Sequence, residues 1–143
     1  MSYARKTQVP VEQTRMEIER TLTRYGARAF GYFTGPSQAM VAFEAGTKID
    51  RRNVKIVLPL PSENDGRLLR QRWRCLLLVI KAKLESVESG IETLEQAFYA
   101  NIVMPNGQTI YEATHENVRI AYTSGKVQAL LPDFSTKPNG DGQ

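Results

Sequence analysis

With 143 residues, 41% of them apolar, the chain has the length of one ordinary domain and enough apolar side chain for a real core. Its 19 Lys and Arg stand against 15 Asp and Glu, a net charge of +4 that carries meaning only where it is local. One cysteine, Cys75, and one histidine, His115, exclude an internal disulfide and a zinc site of the usual nitrogen and sulfur type.

Residues 1 to 10 are polar and read as an arm. Met1 to Lys6 carries no apolar segment of the kind a signal peptide needs, which predicts a cytosolic protein. Thr14-Arg15-Met16-Glu17 has the spacing of a capping box, and Ile18, Leu22 and Tyr25 follow at helical intervals. Gly26 stands where a left-handed stop belongs, so the first helix is expected over residues 14 to 25.

Three strands follow. Ala29 to Thr34 is rich in aromatics and ends at Gly35-Pro36-Ser37. Gln38 to Ala45 sets Met40, Ala42 and Glu44 against Val41 and Phe43 in strict alternation. Lys48 to Arg52 reads as a charged loop or hairpin tip, and Asn53 to Leu58 is the third strand, stopped by Pro59 and Pro61. Connections this short favour an antiparallel meander over parallel crossovers.

The segment Arg67 to Glu88 is the most informative of the chain. Leu69, Trp73, Leu76, Ile80, Leu84 and Val87 fall on one stripe of a helix, the spacing of a core-facing surface. Arg67, Arg70, Arg74 and Lys81 fall on a second stripe, roughly 100° round from the first. The same helix therefore supplies core and a basic ridge, with Trp73 expected inside and Arg70 and Arg74 outside. Its apolar run, Cys75 to Ile80, is far short of the ~20 residues of a membrane span. Leu78 lies off the main stripe and needs cover from the C-terminal helices or from a second copy, a hint of self-association through this helix.

Gly90 ends the long helix. Thr93 to Gln96 and Thr109 to Glu112 repeat the capping-box spacing and open two further helices. The first carries Leu94, Ala97, Phe98 and Ile102; the second runs through Val118 and Tyr122 to Ser124-Gly125. Leu130-Leu131-Pro132 reads as a last apolar contact, and the Pro-, Gly- and Asn-rich stretch from 133 to 143 as a disordered tail. The expected fold is a single α+β domain, residues 1–132, of order α-β-β-β-α-α-α. Its three-stranded antiparallel sheet packs on the long central helix, with the C-terminal helices alongside.

Reaction chemistry is absent from these patterns. No glycine-rich phosphate loop occurs. Glu112, His115 and Glu116 share the last helix, but a di-metal bundle needs a second Glu-x-x-His motif and further glutamates. The chain therefore reads as a non-enzyme, with no cofactor and no metal. The ridge Arg67, Arg70, Arg74 and Lys81, with Arg51 and Arg52 on the charged loop, is the candidate nucleic-acid contact, since guanidinium groups on one helix face can bridge phosphates. Phe30 and Tyr32 add base stacking only if the sheet face that carries them is open.

Several phrases of the chain resemble a recurring group of small phage and prophage proteins: Ser2 to Arg5, Glu17 to Ala27, Val57 to Pro61, Arg72 to Arg74 with Leu78 to Glu85, and Leu130 to Pro132. The resemblance covers nearly the whole chain. It implies expression from phage DNA in the cytoplasm of a bacterial host, and brings no catalytic residues. In order of elements the chain is also similar to ring-forming single-strand annealing proteins and to the double-stranded RNA-binding domain. Two functions follow as expectations. One is sequence-independent binding of nucleic acid, related to recombination of single strands. The other is an anti-defence protein, like the anti-CRISPR inhibitors, that grips a host protein or ribonucleoprotein complex.

Overall fold

A computed structural model describes residues 7–62 and 65–131. The expected tail from 133 onward and the first six residues of the arm lie outside the described residues. The order is α1 (Val11–Thr23), β1 (Arg28–Thr34), β2 (Gln38–Gly46), β3 (Arg51–Pro59), α2 (Gly66–Glu88), α3 (Leu94–Ala97), a 3-10 turn (Tyr99–Asn101) and α4 (Ile110–Ser124). This is the α-β-β-β-α-α-α arrangement read from the sequence, with a three-stranded antiparallel sheet packed on a long central helix.

α1 starts earlier than its capping-box spelling suggests. Pro10 sits at the N-cap, its ring fixing φ near the helical value, and its carbonyl already accepts from the Thr14 amide at 3.2 Å. Thr14 is therefore inside the helix, fully buried on the stripe it shares with Ile18 and Leu22. Burial of that stripe, joined by Val11 against the core, outweighs a local cap worth about 1 kcal/mol. Gly26, at φ +87°, turns the chain into β1 as expected.

The sheet has order β1-β2-β3. Ala39, Val41, Phe43 and Ala45 of β2 are all buried, while Met40, Ala42 and Glu44 take the other face. β1 carries one extra residue between Arg28, opposite Glu44, and Gly31, opposite Ala42. Ala29 accommodates it at φ +57°, uncommon for a side chain with a Cβ. Without the bulge Arg28 would share a face with Phe30 and Tyr32. With it, Phe30 and Tyr32 pack on the core, and Arg28 joins Glu44 on the opposite face.

That cross-strand pair corrects the reading of residues 48–52 as loop. Arg51 and Arg52 are the first residues of β3, in register with Gly46 and Ala45. Arg28 and Arg51 both approach Glu44, at 3.4 and 3.7 Å, so charged partners extend the ladder into a stretch that looks like a turn.

α2 lays Trp73, Leu76, Leu77, Ile80 and Leu84 on the core, with Asp65 capping its start by accepting from the Arg67 amide at 2.9 Å. α1 runs parallel to it. Arg15 lies over Trp73, Glu17 pairs with Arg74, and Tyr25 reaches Glu88, in the same direction along both helices. Leu78 is half-buried and Val79 exposed.

The C-terminal helices are divided in their packing. α3 packs against α2 and β2, and Lys83 Nζ donates to the Ala97 carbonyl at 2.7 Å. α4 packs chiefly on the 3-10 turn and buries none of its residues, so it does not cover the second side of α2 as expected. Val118 and Tyr122 point outward, and Leu130 and Leu131 remain exposed, tied to α4 through Asn117 Nδ2 donating to the Leu130 carbonyl at 3.0 Å.

Of the three predicted capping boxes, the two at α3 and α4 are formed. At α4 the Thr109 hydroxyl accepts from the Glu112 amide at 3.1 Å, and Glu112 Oε1 accepts from the Thr109 amide at 2.8 Å. Thr109 is buried, so Thr109→Ala is expected to cost about 1 kcal/mol in urea unfolding. The Thr109 amide also holds the Glu112 carboxyl below its ordinary value of 4.5. A depressed carboxyl stabilises the fold above the unfolded value and loses that contribution as pH falls through the native one. Glu112→Gln should thus flatten part of the acid limb of stability, whereas an unchanged limb would remove Glu112 from it.

Candidate functional site

The basic stripe of α2 does not stand free in solvent, because α1 packs against it and turns it into one wall of a groove between two parallel helices. Arg74 Nη1 donates to Glu17 Oε2 at 2.9 Å, and both side chains are about three-quarters buried, at 23% and 24% exposure. Arg70 is half-buried as well. The expectation that Arg70 and Arg74 are exposed is therefore corrected. The phase of the stripe is right, but a helical wheel gives an angle and not what occupies it.

Near the start of the groove, Arg15 and Arg70 line a pocket with Trp73, Thr34, Gly66 and Val11. The Arg15 guanidinium lies 4.8 Å from the Trp73 ring centroid and 5.4 Å from that of Tyr32, and its Nη2 donates to Thr34 Oγ1 at 2.8 Å. The Tyr32 hydroxyl donates to Glu19 at 3.1 Å; burial first, and then the Glu19 charge, push its pKa up to about 12. The hydroxyl is thus a fixed donor at neutral pH. Arg70 lies across Gly66, where an added Cβ would sit 3.3 Å from its Nη1. Arg67, one residue into α2, is exposed.

The far end of the groove is a cleft of about 810 Å³ lined by Arg20, Arg24 and Lys81 against Glu17, Glu85 and Glu88. Glu17 is engaged by Arg74, and Glu88 accepts from the Tyr25 hydroxyl at 2.9 Å. Hydrogen bonding to Glu88 raises the Tyr25 pKa.

The other two predicted site residues belong elsewhere. Arg51 is held by Glu44, and Arg52 by Asp50 and by Glu95 of α3, the Asp50 contact raising its pKa. They stand by the β2–β3 hairpin, at the opposite end of the sheet from the β1–β2 turn, where α2 begins. The structure thus puts Arg70 in the first pocket and Lys81 in the second, ties Arg74 to Glu17 between them, leaves Arg67 exposed in the lining of neither, and sets Arg51 and Arg52 apart. It adds Arg15 and Arg20 of α1 and Arg24 at its C-cap, which sequence reasoning missed. Their only signal was that they fall off the Thr14, Ile18, Leu22 stripe.

Phe30 and Tyr32 are on the core side of the sheet, with Phe30 5.9 Å from Phe43, so neither offers an open ring. The aromatic of the open face is Phe33, in register with Met40 and, beyond it, Val57. Tyr111 stacks on His115 at 5.1 Å, and Glu116 pairs with Arg119. Among the described residues no group of three or more His, Cys, Asp or Glu gathers to hold a metal ion, and no helix is long and apolar enough to cross a membrane.

Comparison with known proteins finds no family model and no solved structure that match the chain. It is similar to the serine/threonine-protein kinase pkn2 of Myxococcus xanthus, 33% identical over 79 residues. That stretch is 55% of this chain and 9% of the kinase, so the chain spans less than a tenth of the relative it matches. A shared segment of that size carries none of the kinase's activity to this chain.

Proposed function

We propose that this is a non-enzymatic, phage-encoded protein of the host cytoplasm that binds nucleic acid without sequence preference, along the α1–α2 groove. The observation that carries this reading is the division of its cations. Arg28, Arg51, Arg52, Lys55, Arg74 and Arg119 are ion-paired, whereas Arg70 beside Arg15, and Lys81 beside Arg20 and Arg24, line the two cavities between α1 and α2 without an ion pair among the described residues. From Arg70 to Lys81 a helix rises ~16 Å, room for roughly four or five phosphates of one strand at about 3.4 Å of axis each. Guanidinium and ammonium groups held along such a line position a backbone and read no base.

Retention of labelled single- and double-stranded oligonucleotides tests this. Binding should be measurable at low salt and fall steeply as salt rises, with a log–log slope of roughly 0.7–0.9 per phosphate neutralised. Reversing Arg70 and Lys81 to Glu should lower affinity by at least about tenfold and flatten the slope, while reversing Arg51 and Arg52 should matter less. No retention at low salt, or a double reversal that binds like the parent, sinks the reading.

A second reading, inhibition of a host protein or ribonucleoprotein complex, has support from another surface. Phe33 is 54% exposed beside Met40 and Val57, and Tyr111, Val118 and Tyr122 of α4 also face solvent. An apolar row on an open sheet suits a protein partner. It would be favoured by a host partner that survives nuclease treatment and is lost with Phe33→Asp.

A further inference from the structure

We propose that the pocket where α1 meets the first turns of α2 is a site for a phosphoryl group, gripped by Arg15 and Arg70. This rests on the nucleic-acid reading for one of its two sources, a backbone phosphate; the other is free phosphate or a phosphomonoester. The pocket holds about 490 Å³ and is lined by Gln8, Glu12, Arg15, Thr34, Arg70 and Trp73 among others. Among the described residues its charged lining is two guanidiniums against the single carboxylate of Glu12, so an anion restores balance.

Arg15 is positioned before any ligand arrives, and Arg70 lines the same pocket. Arg15 is held flat by the Trp73 and Tyr32 rings and by Thr34. Arg70 lies over Gly66, which has no Cβ to displace it. Each has its Nε buried without a hydrogen-bond partner, and Arg70 forms no ion pair among the described residues. A half-buried guanidinium left unmatched is costly, and what relieves it best is a planar or tetrahedral oxyanion that accepts from its free Nη edge. Thr34 supplies a hydroxyl at the same rim. The stacked Arg15 and the unpaired Arg70 line one cavity, and a pair of guanidiniums favours phosphate over chloride.

Thermal melting with inorganic phosphate, against chloride at matched ionic strength, is the direct test, run on the parent, Arg70→Gln and the exposed Arg72→Gln. At phosphate roughly twentyfold above its Kd the parent Tm should rise by about 3–6 °C. Arg70→Gln should lose most of that rise and Arg72→Gln should keep it. Should Arg70→Gln fail to fold, Arg70→Lys retains charge without the fork and should still respond less than the parent. Equal rises in all variants would be a general effect of phosphate on water structure and would overturn the site. Oligonucleotide retention by the same proteins separates the two proposals. A phosphate response in a protein that retains no oligonucleotide keeps the pocket, with free phosphate as its ligand, and removes the nucleic-acid reading. Retention that phosphate displaces assigns the pocket to the backbone. Retention with no phosphate response leaves the groove and removes the pocket.

Discussion

Replacing Trp73 by alanine should cost about 3–5 kcal/mol, the usual loss when a large aromatic leaves a core. The ring is 1% exposed and reaches from α2 into the core, with Arg15 of α1 lying over it. Its removal leaves a cavity and takes away the surface on which the Arg15 guanidinium rests, so the deficit has an apolar and a cation–π part. Set against the 5–15 kcal/mol that typically separates folded from unfolded, this either melts the domain near physiological temperature or lowers its urea midpoint drastically. Arg72→Ala, the adjacent residue, is the contrast. That side chain is exposed and donates only a long 3.4 Å bond to the Pro59 carbonyl, so its loss should stay within about 0.5 kcal/mol. An Arg72 variant that loses more than the Trp73 variant would mean that the stripe faces the other way.

The apolar phase of α2 was legible because six large side chains repeat it over about five turns, and nothing local competes. The strands were legible for the same reason at period two, down to which face of β2 carries Met40 and which carries Val41. Failures occurred where a distant partner decides. Thr14 to Glu17 spells a cap, yet Thr14 faces the core, because Val11 gains more by docking than the cap would gain by forming. Arg51 and Arg52 look like loop until Glu44 and Glu95 are brought beside them by strand pairing and by α3. The candidate site suffered likewise. The ridge on α2 was correctly phased, but its fate depended on α1, separated from it by the whole sheet in sequence. Parallel packing of α1 pairs Arg74 with Glu17, encloses Arg70 and contributes Arg15, which no spacing within α2 could announce.

Phe98→Ala should have an effect as large as that at Trp73, about 3–5 kcal/mol, with a different consequence. Phe98 is 1% exposed, packs edge-on against Phe43 of β2 at 5.7 Å, and lies under Lys83 of α2 at 5.6 Å. It is the largest buried side chain that ties the C-terminal segment to the sheet. The other ties are polar or single-bridge: the Val54–Ile102 bridge, the Val103 amide donating to the Asn53 carbonyl at 2.8 Å, Asn101 Nδ2 donating to the Lys55 carbonyl at 3.1 Å, and the Arg52–Glu95 and Lys55–Glu112 pairs at 3.3 and 3.4 Å. α4 hangs from this connection with no buried residue of its own. Losing the ring should therefore loosen the chain from α3 onward before it loosens α1, the sheet and α2. Hydrogen exchange should show this as amides of α4 opening at lower free energy than those of α2, a difference that grows in the variant. Uniform loss of protection across α2 and α4 would instead mean that the two parts unfold as one. If the division holds, the variant keeps the α1–α2 groove at low temperature, and its oligonucleotide retention there should match the parent, because no groove cation touches Phe98.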